Sequence, residues 1–463
     1  MSNFFYICDH IIAKAPLQMQ NETTRNLWHH FTFTESEISF TNAETLLFQI
    51  GQATPPQLKE GDDFSYTVDE NGIAIVAKTY PSLMRGYCDL LMQIVVDYQN
   101  DGKLAIRTQT KQDSFTVKNR MIHFCIFKDT DRLRLRKLIR LAGVLSYTHV
   151  ILEFWSTYQF DCLKEYGWEG TYSKDDVRDL IREVRELGLE PIPMINHLGH
   201  AAGSRITGGK HAVLDQNPKL HRLFMPDGWC WNIFNPQTID ILRKMRHELY
   251  ELFGPGEYFH AGLDEAYFFS INPEYRKALP DYLANVAKEI LAEGRRPMLW
   301  MDMFLPKESG TIHLCSCSVE QMHDFLESIP EETVLVDWDY NTKEAPFPTS
   351  VYLKKNAKQD ILIAPWDNKG NIDAAISTAK ECKLFGVMLT TWHSMFISAS
   401  QILHAAHRMG CTKSPWLIAS DGELNKSETA TLLRKLSFEG PNSYEDAGWA
   451  RNEVLDNVGI LLY

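Results

Sequence analysis

From Arg120 onward, short apolar runs alternate with amphipathic stretches, and the alternation recurs eight times. Candidate strands fall at 120–127, 148–154, 190–195, 257–262, 296–301, 333–338, 361–365 and 385–391. Apolar residues recur at helical spacing near 131–144, 173–188, 237–253, 277–293, 319–328, 344–357, 371–382 and 398–409. A strand covered on both faces reads as an unbroken apolar run, as in Val150-Ile151-Leu152, Val334-Leu335-Val336 and Ile361-Leu362-Ile363. Eight βα units in series predict an α/β fold, a closed (β/α)8 TIM barrel rather than an open sheet. Residues 411–463 carry one more helical stretch near 426–436, expected to pack on the barrel as a C-terminal extension of a domain spanning 116–463.

Residues 1–115 have a different rhythm. Short alternating runs such as Glu37-Ile38-Ser39-Phe40 and Phe64-Ser65-Tyr66-Thr67-Val68 read as half-buried strands. Asp69-Glu70-Asn71-Gly72 is a hairpin turn leading into Ile73-Ala74-Ile75-Val76-Ala77, and helical spacing predicts a helix from Ser82 to Tyr98. A small α+β domain therefore precedes the barrel.

In such a barrel the C-terminal strand ends carry the chemistry. The fourth strand runs into His260-Ala261-Gly262-Leu263-Asp264-Glu265, placing two adjacent carboxylates there. Burying both costs several kcal/mol unless they are paired or protonated. Like charges so close are expected to push one pKa upward, as a general acid near neutral pH requires. The bland reading is an N-capping Asp beside a solvated Glu. The other strand ends supply Asn196-His197-Leu198-Gly199-His200, Trp300-Met301-Asp302, Asp337-Trp338-Asp339-Tyr340, Trp366-Asp367-Asn368 and Trp392-His393-Ser394, with Arg120 on the first strand. Indole rings with carboxylates and an Arg suit a sugar ring. Each member has a structural alternative: Arg120 bridging two domains, His200 capping a loop, any one Trp in the core, Asp302 and Asp339 capping helices.

The formal charge of −13 disfavours nucleic acid or an anionic membrane as partner. No window approaches the roughly 20 apolar residues of a membrane span. No basic, then apolar, signal segment opens the chain, and its nine cysteines lack zinc-type spacing, so a reducing cytoplasmic setting is expected.

With these residues in view, the sequence resembles glycoside hydrolase family 20, the β-N-acetylhexosaminidases, over roughly residues 60–400, including a leading α+β domain. His260-Ala261-Gly262-Leu263-Asp264-Glu265 matches the family's His-x-Gly-x-Asp-Glu. Gly170-Thr171-Tyr172-Ser173 and Pro191-Ile192-Pro193-Met194-Ile195-Asn196-His197-Leu198-Gly199-His200 match its Tyr-Thr, Ile-Pro and Gly-His elements. The chain is most similar to the cytosolic, hexosaminidase D-like branch, which also has an aromatic pair after Asp-Glu, here Tyr267-Phe268. It departs at Trp155-Ser156, where that branch has an acidic pair, and at Met194, Asn196 and Leu198. Ser394 replaces a carboxylate common after the strand 8 Trp.

The resemblance implies substrate-assisted retention, an exception to the two-carboxylate scheme. The substrate's 2-acetamido oxygen would close an oxazolinium ring, with Glu265 as general acid and base and Asp264 holding the acetamido N–H. Trp300, Trp338 and Trp392 would wall the sugar, Arg120 would grip O3 and O4, and Tyr340 or Trp366 would support the oxazoline. His200, His260, Asp302 and Asp367 complete the expected substrate contacts. No metal or cofactor is expected; the partner is a small oligosaccharide or glycoside, and a homodimer is compatible. With Ser394 short and neutral, weak discrimination between N-acetylglucosaminides and N-acetylgalactosaminides is expected, unless His393 or Asp367 supplies the contact. A hydrolase for another modified amino sugar, or a non-catalytic sugar-binding protein on this fold, are the rival readings.

Overall fold

The protein is described from a computed structural model, which covers residues 3–33, 35–113, 115–127, 130–167, 171–201, 213–313, 315–392, 398–411 and 414–438. Gly170, His393, Ser394 and the chain beyond residue 438 lie outside the described residues.

The N-terminal strands are β1 (Phe4–Tyr6), β2 (His10–Ala15), β3 (Glu37–Asn42), β4 (Leu47–Gly51), β5 (Phe64–Asp69), β6 (Gly72–Ala77), β7 (Val95–Asp97), β8 (Lys103–Arg107) and β9 (Gln109–Asp113). They form a six-stranded sheet in the order β3-β2-β4-β6-β5-β9 and a three-stranded sheet β1-β8-β7. The turn at 69–72 joins β5 and β6 as an antiparallel hairpin. The helix expected from Ser82 to Tyr98 instead spans Tyr80–Leu91, and residues 95–97 form β7. Thr79 sets its start by accepting the Ser82 N–H, and Pro81 follows in the first turn. Past Leu91, Val95 and Val96 are β-branched and join an antiparallel ladder with β8, which overrides the apolar spacing.

Eight parallel strands then close into a barrel: β10 (Asn119–Cys125), β11 (His149–Glu153), β12 (Glu190–Met194), β13 (Tyr258–His260), β14 (Arg296–Trp300), β15 (Val334–Asp337), β16 (Asp360–Ile363) and β17 (Gly386–Thr390). The ring closes where β10 pairs with β17, as at Met121 with Met388. Helices Arg132–Val144, Lys174–Glu186, Pro236–Phe253, Leu279–Ala292, Val319–Ser328, Pro348–Asn356, Lys369–Glu381 and Ser398–Met409 follow the strands in turn. The C-terminal helix Lys426–Lys435 packs on the N-terminal domain as well as the barrel: Lys435 Nζ donates to the carbonyls of His30 and Phe31, and Arg140 donates to that of Leu436.

Strand side chains alternate between faces, so one parity fills the lumen and the other packs under the helices. Met121, Ile151, Ile192, Met194, Tyr258, Met298, Val334, Val336, Leu362 and Met388 form an inner apolar cluster distinct from the outer core. Continuing that parity toward the C-terminal ends reaches His123, Glu153, Asn196, His260, Trp300, Asp302, Trp338 and Trp392. The lumen therefore turns from aliphatic to polar and aromatic as it approaches its mouth. Among the described residues no helix is long and apolar enough to cross a membrane.

Candidate active site

β13 is short, and the chain leaves it through a tight turn. Gly262, Leu263 and Glu265 have φ of 69°, 87° and 48°. Non-glycine residues there cost about 1 kcal/mol or more and are kept where surroundings over-determine them. A β-carbon on Gly262 would lie 1.7 Å from Asn196 Oδ1, and one on Gly199 would lie 2.0 Å from the Asp264 carbonyl oxygen. The turn and the loop after β12 thus interlock, with space only for glycine at both contacts.

This interlock brings His200, itself at φ 56°, against both carboxylates. Its Nε2 lies 3.1 Å from Asp264 Oδ2 and 3.2 Å from Glu265 Oε2. Asp264 is buried, and its Oδ1 has no hydrogen-bond partner among the described residues. Trp155, where the resembled branch has an acid, is buried at φ 48° with its ring 5.2 Å from that of His200. Ser156 is buried beside it.

Glu265 behaves opposite to expectation. Burial pushes its carboxyl up, but hydrogen bonds from His200 and Tyr267 and the charge of His200 outweigh that and hold it below the ordinary range. The raised acid is Asp302, pushed well up by burial and by the neighbouring charge of Asp264. Asp302 Oδ2 accepts the Glu265 N–H at 2.9 Å, so this residue braces the turn. Trp229 fixes the other side by donating Nε1–H to the Glu265 carbonyl at 2.8 Å.

The aromatic residues form a chain of rings around the mouth. Trp300 lies 5.9 Å from Trp392, Trp338 5.0 Å from Tyr340, and Tyr340 5.2 Å from Trp366. Trp392 Nε1 donates to Tyr340 Oη at 2.8 Å. Burial pushes the Tyr340 hydroxyl above its ordinary range, so it stays protonated near neutral pH. The indole N–H groups of Trp300 and Trp338 are buried with no partner among the described residues. Buried polar atoms of this kind need partners, and a polyhydroxylated ring offers them. Asp339, by contrast, accepts from the Asn341 and Thr342 backbones, a turn-capping role.

One expected substrate contact is corrected. Arg120 is the second residue of β10 and lies at the opposite end of the barrel, donating to the carbonyls of Ser146, Val117 and Lys118 and stacking on Phe115. A residue that begins a barrel strand stands at the face away from the site. His260 is fully buried one layer below the pocket, with Nδ1 accepting the Gly262 N–H and its ring 4.7 Å from Trp300. Burial pushes it down to about 3, so it is neutral and supports the indole. Asp367 is exposed beside Trp366. Three contributors escape periodicity arguments: Trp229, Tyr267 and His313, whose ring lies 4.0 Å from Trp338. Each arrives on a loop or a one-turn helix, and only the aromatic pair Tyr267-Phe268 gave a signal.

Residues 151–384 match the model described as glycosyl hydrolase family 20, catalytic domain. The chain is 25% identical over 313 residues to a beta-hexosaminidase of Emericella nidulans, covering 60% of this chain and 52% of that protein. It is 25% identical over 242 residues to beta-hexosaminidase 1 of Coccidioides posadasii, covering 46% and 39%. The chain thus spans about half the length, or less, of these relatives. Among solved structures, a Flavobacterium johnsoniae chitobiase superimposes with TM-score 0.65 at 13% identity, over 99% of this chain and 73% of that one. A GH20 beta-N-acetylhexosaminidase from Streptomyces coelicolor A3(2) gives 0.63 at 14%, over 97% and 94%. At such identity these structures speak to the fold.

Proposed function

The chain belongs to glycoside hydrolase family 20, and from that premise we propose that it is an exo-acting β-N-acetylhexosaminidase. The observation that carries this reading is the pair Asp264 and Glu265, converging on His200 at 3.1 and 3.2 Å within a ring of indoles. Asp264 takes the acetamido N–H, orienting the acetamido oxygen toward the anomeric carbon and stabilising the charge that develops on nitrogen. Glu265 gives its proton to the departing oxygen and later takes one from the attacking water. Because Glu265 is ionised when free, it acquires that proton on the way to the Michaelis complex, where the sugar displaces water and favours the neutral carboxyl. Tyr340, Trp300 and Trp392 enclose the oxazolinium, with the Tyr340 hydroxyl donating to the acetamido oxygen. The products are the free amino sugar, with β configuration retained, and the alcohol.

The proposal includes terminal β-linked N-acetylglucosamine and N-acetylgalactosamine as substrates, a cytosolic location, a small glycoside as partner without nucleic acid or membrane, and compatibility with a homodimer. Hydrolysis of aryl N-acetyl-β-glucosaminide and β-galactosaminide, followed by NMR of the first-formed anomer, tests it. Retention with both sugars, within about a hundredfold or 2.7 kcal/mol in kcat/KM of each other, is expected. No turnover with measurable sugar binding would leave a binding protein. Inversion would remove the oxazolinium route.

A further inference from the structure

Two residues beyond Glu265 the chain makes a single helical turn, Tyr267–Ile271, and a second, Pro273–Arg276. Residues four apart share a helix face, so Tyr267 and Ile271 lie together. Ile271 is 77% exposed, Phe234 48%, Tyr275 39% and Tyr267 38%. Ring contacts gather them in two groups: Phe234 lies 5.5 Å from Tyr275 and Tyr275 5.3 Å from Phe268, while Tyr267, the chain neighbour of Phe268, lies 5.9 Å from Trp229. Exposed apolar side chains gathered on one surface mark a contact site. These begin two residues past Glu265, where the Tyr267 N–H donates to the Glu265 carbonyl at 2.7 Å.

We propose that Tyr267, Ile271, Tyr275 and Phe234 form an apolar shelf for the leaving group, selecting glycosides whose aglycone presents an alkyl or aryl face. The inference rests on the reading of Glu265 as proton donor. That donor must reach the departing oxygen, so whatever departs lies against Glu265, on the side away from Trp300, Trp392 and Tyr340. There the leaving group meets the Tyr267 ring and, one turn further, the Ile271 side chain. A leaving group with a dry face covers these side chains and gains from the apolar area removed from water.

The test is an alkyl series, methyl to octyl β-N-acetylglucosaminides, with N-acetylglucosaminyl fluoride as a substrate lacking an aglycone. Alkoxide leaving groups differ little in basicity along the series, so the trend in kcat/KM reads binding. For the wild-type protein we expect a rise of about twofold per methylene over the first few carbons. Ile271→Ser, at a surface position, should lower kcat/KM for the octyl glycoside about fivefold and leave the fluoride unchanged. A β-linked disaccharide of the same sugar, less sensitive to Ile271→Ser than the octyl glycoside, separates alkyl recognition from stacking of a sugar ring; equal sensitivity assigns the shelf to sugar rings and overturns the alkyl or aryl preference. A flat alkyl series with the fluoride hydrolysed overturns the shelf. If the series is flat and Ile271→Lys converts a dimer to a monomer in light scattering, the patch is instead an interface between copies. Failure to hydrolyse the fluoride would sink the hydrolase reading itself.

Discussion

The backbone N–H of Glu265 donates to the Asp302 carboxyl at 2.9 Å, across the gap between β13 and β14. The acceptor is buried and its pKa is raised by burial and by Asp264, so the folded protein binds a proton there more tightly than the unfolded chain. Between the unfolded pKa near 3.8 and the higher folded value the native state holds the extra proton, and stability falls as pH rises through that window. Asp302→Asn keeps an oxygen for the Glu265 N–H and removes the titration. It is expected to raise Tm at pH 7 more than at pH 4. Thermal melts of both proteins at the two pH values check this; equal differences at both would refute it.

At Glu265 the shift is the opposite one, and activity should report it. Its carboxyl sits below the ordinary 4.5 in the free site, for the hydrogen-bonding reasons given above. kcat/KM reports free-enzyme groups and kcat those of the complex. If the proton on Glu265 is donated in the first step, kcat/KM declines as pH rises through that low value. Substrate covers the carboxylate and favours its neutral form, so the alkaline limb of kcat should lie at higher pH than that of kcat/KM. Coincident limbs would show that substrate does not change the environment of Glu265.

Much of the architecture was legible because it depends on local period. Eight apolar runs spaced by amphipathic helices admit few folds, and the parity of Met298, Trp300 and Asp302, or Val334, Val336 and Trp338, follows from strand alternation alone. The sign of the Glu265 shift was not legible. Adjacency to Asp264 argued for a raised pKa, whereas the deciding partner, His200, is 65 positions away and arrives through two interlocked turns. Asp302, 37 residues downstream, takes the raised value instead. Arg120 stands at the start of the first apolar run, so its place away from the strand C-termini is legible in the sequence; its three carbonyl partners, which hold the guanidinium there, are not. Trp229 reaches Glu265 from an irregular loop, for which no periodic signal exists.

Arg120 is 1% exposed, holds three carbonyl oxygens and is far from the strand ends that carry Asp264 and Glu265. Arg120→Leu leaves those carbonyls short of donors and should cost about 2 kcal/mol or more of stability. At a temperature where the variant is folded, KM for an aryl glycoside should change by less than about twofold. A large rise in KM with unchanged Tm would return Arg120 to the substrate.

The division of labour between the two adjacent carboxylates can be read from leaving-group dependence. Glu265→Gln retains size and polarity but cannot donate a proton, a role worth about 10²–10⁴-fold when the leaving group is a poor one. Alkyl glycosides should therefore lose that factor, while dinitrophenyl glycosides, whose leaving group needs little protonation, lose about tenfold or less. Asp264→Asn acts on a different part of the same step. On the proposed route the acetamido oxygen closes the ring as the aglycone departs, so the charge Asp264 faces develops whichever group leaves, and both substrate types should fall by a similar factor of about 10²–10³. His200 lies within 3.2 Å of both carboxylates, so the two substitutions are coupled through it, and their combined effect should be smaller than the product of the single ones. Steady-state kinetics of the two single variants and the double variant on both substrates give the cycle. If Glu265→Gln hurts the two substrate types equally, or Asp264→Asn spares the activated one, the assigned roles are wrong, because proton transfer and acetamide stabilisation cannot be exchanged without exchanging their dependence on the leaving group.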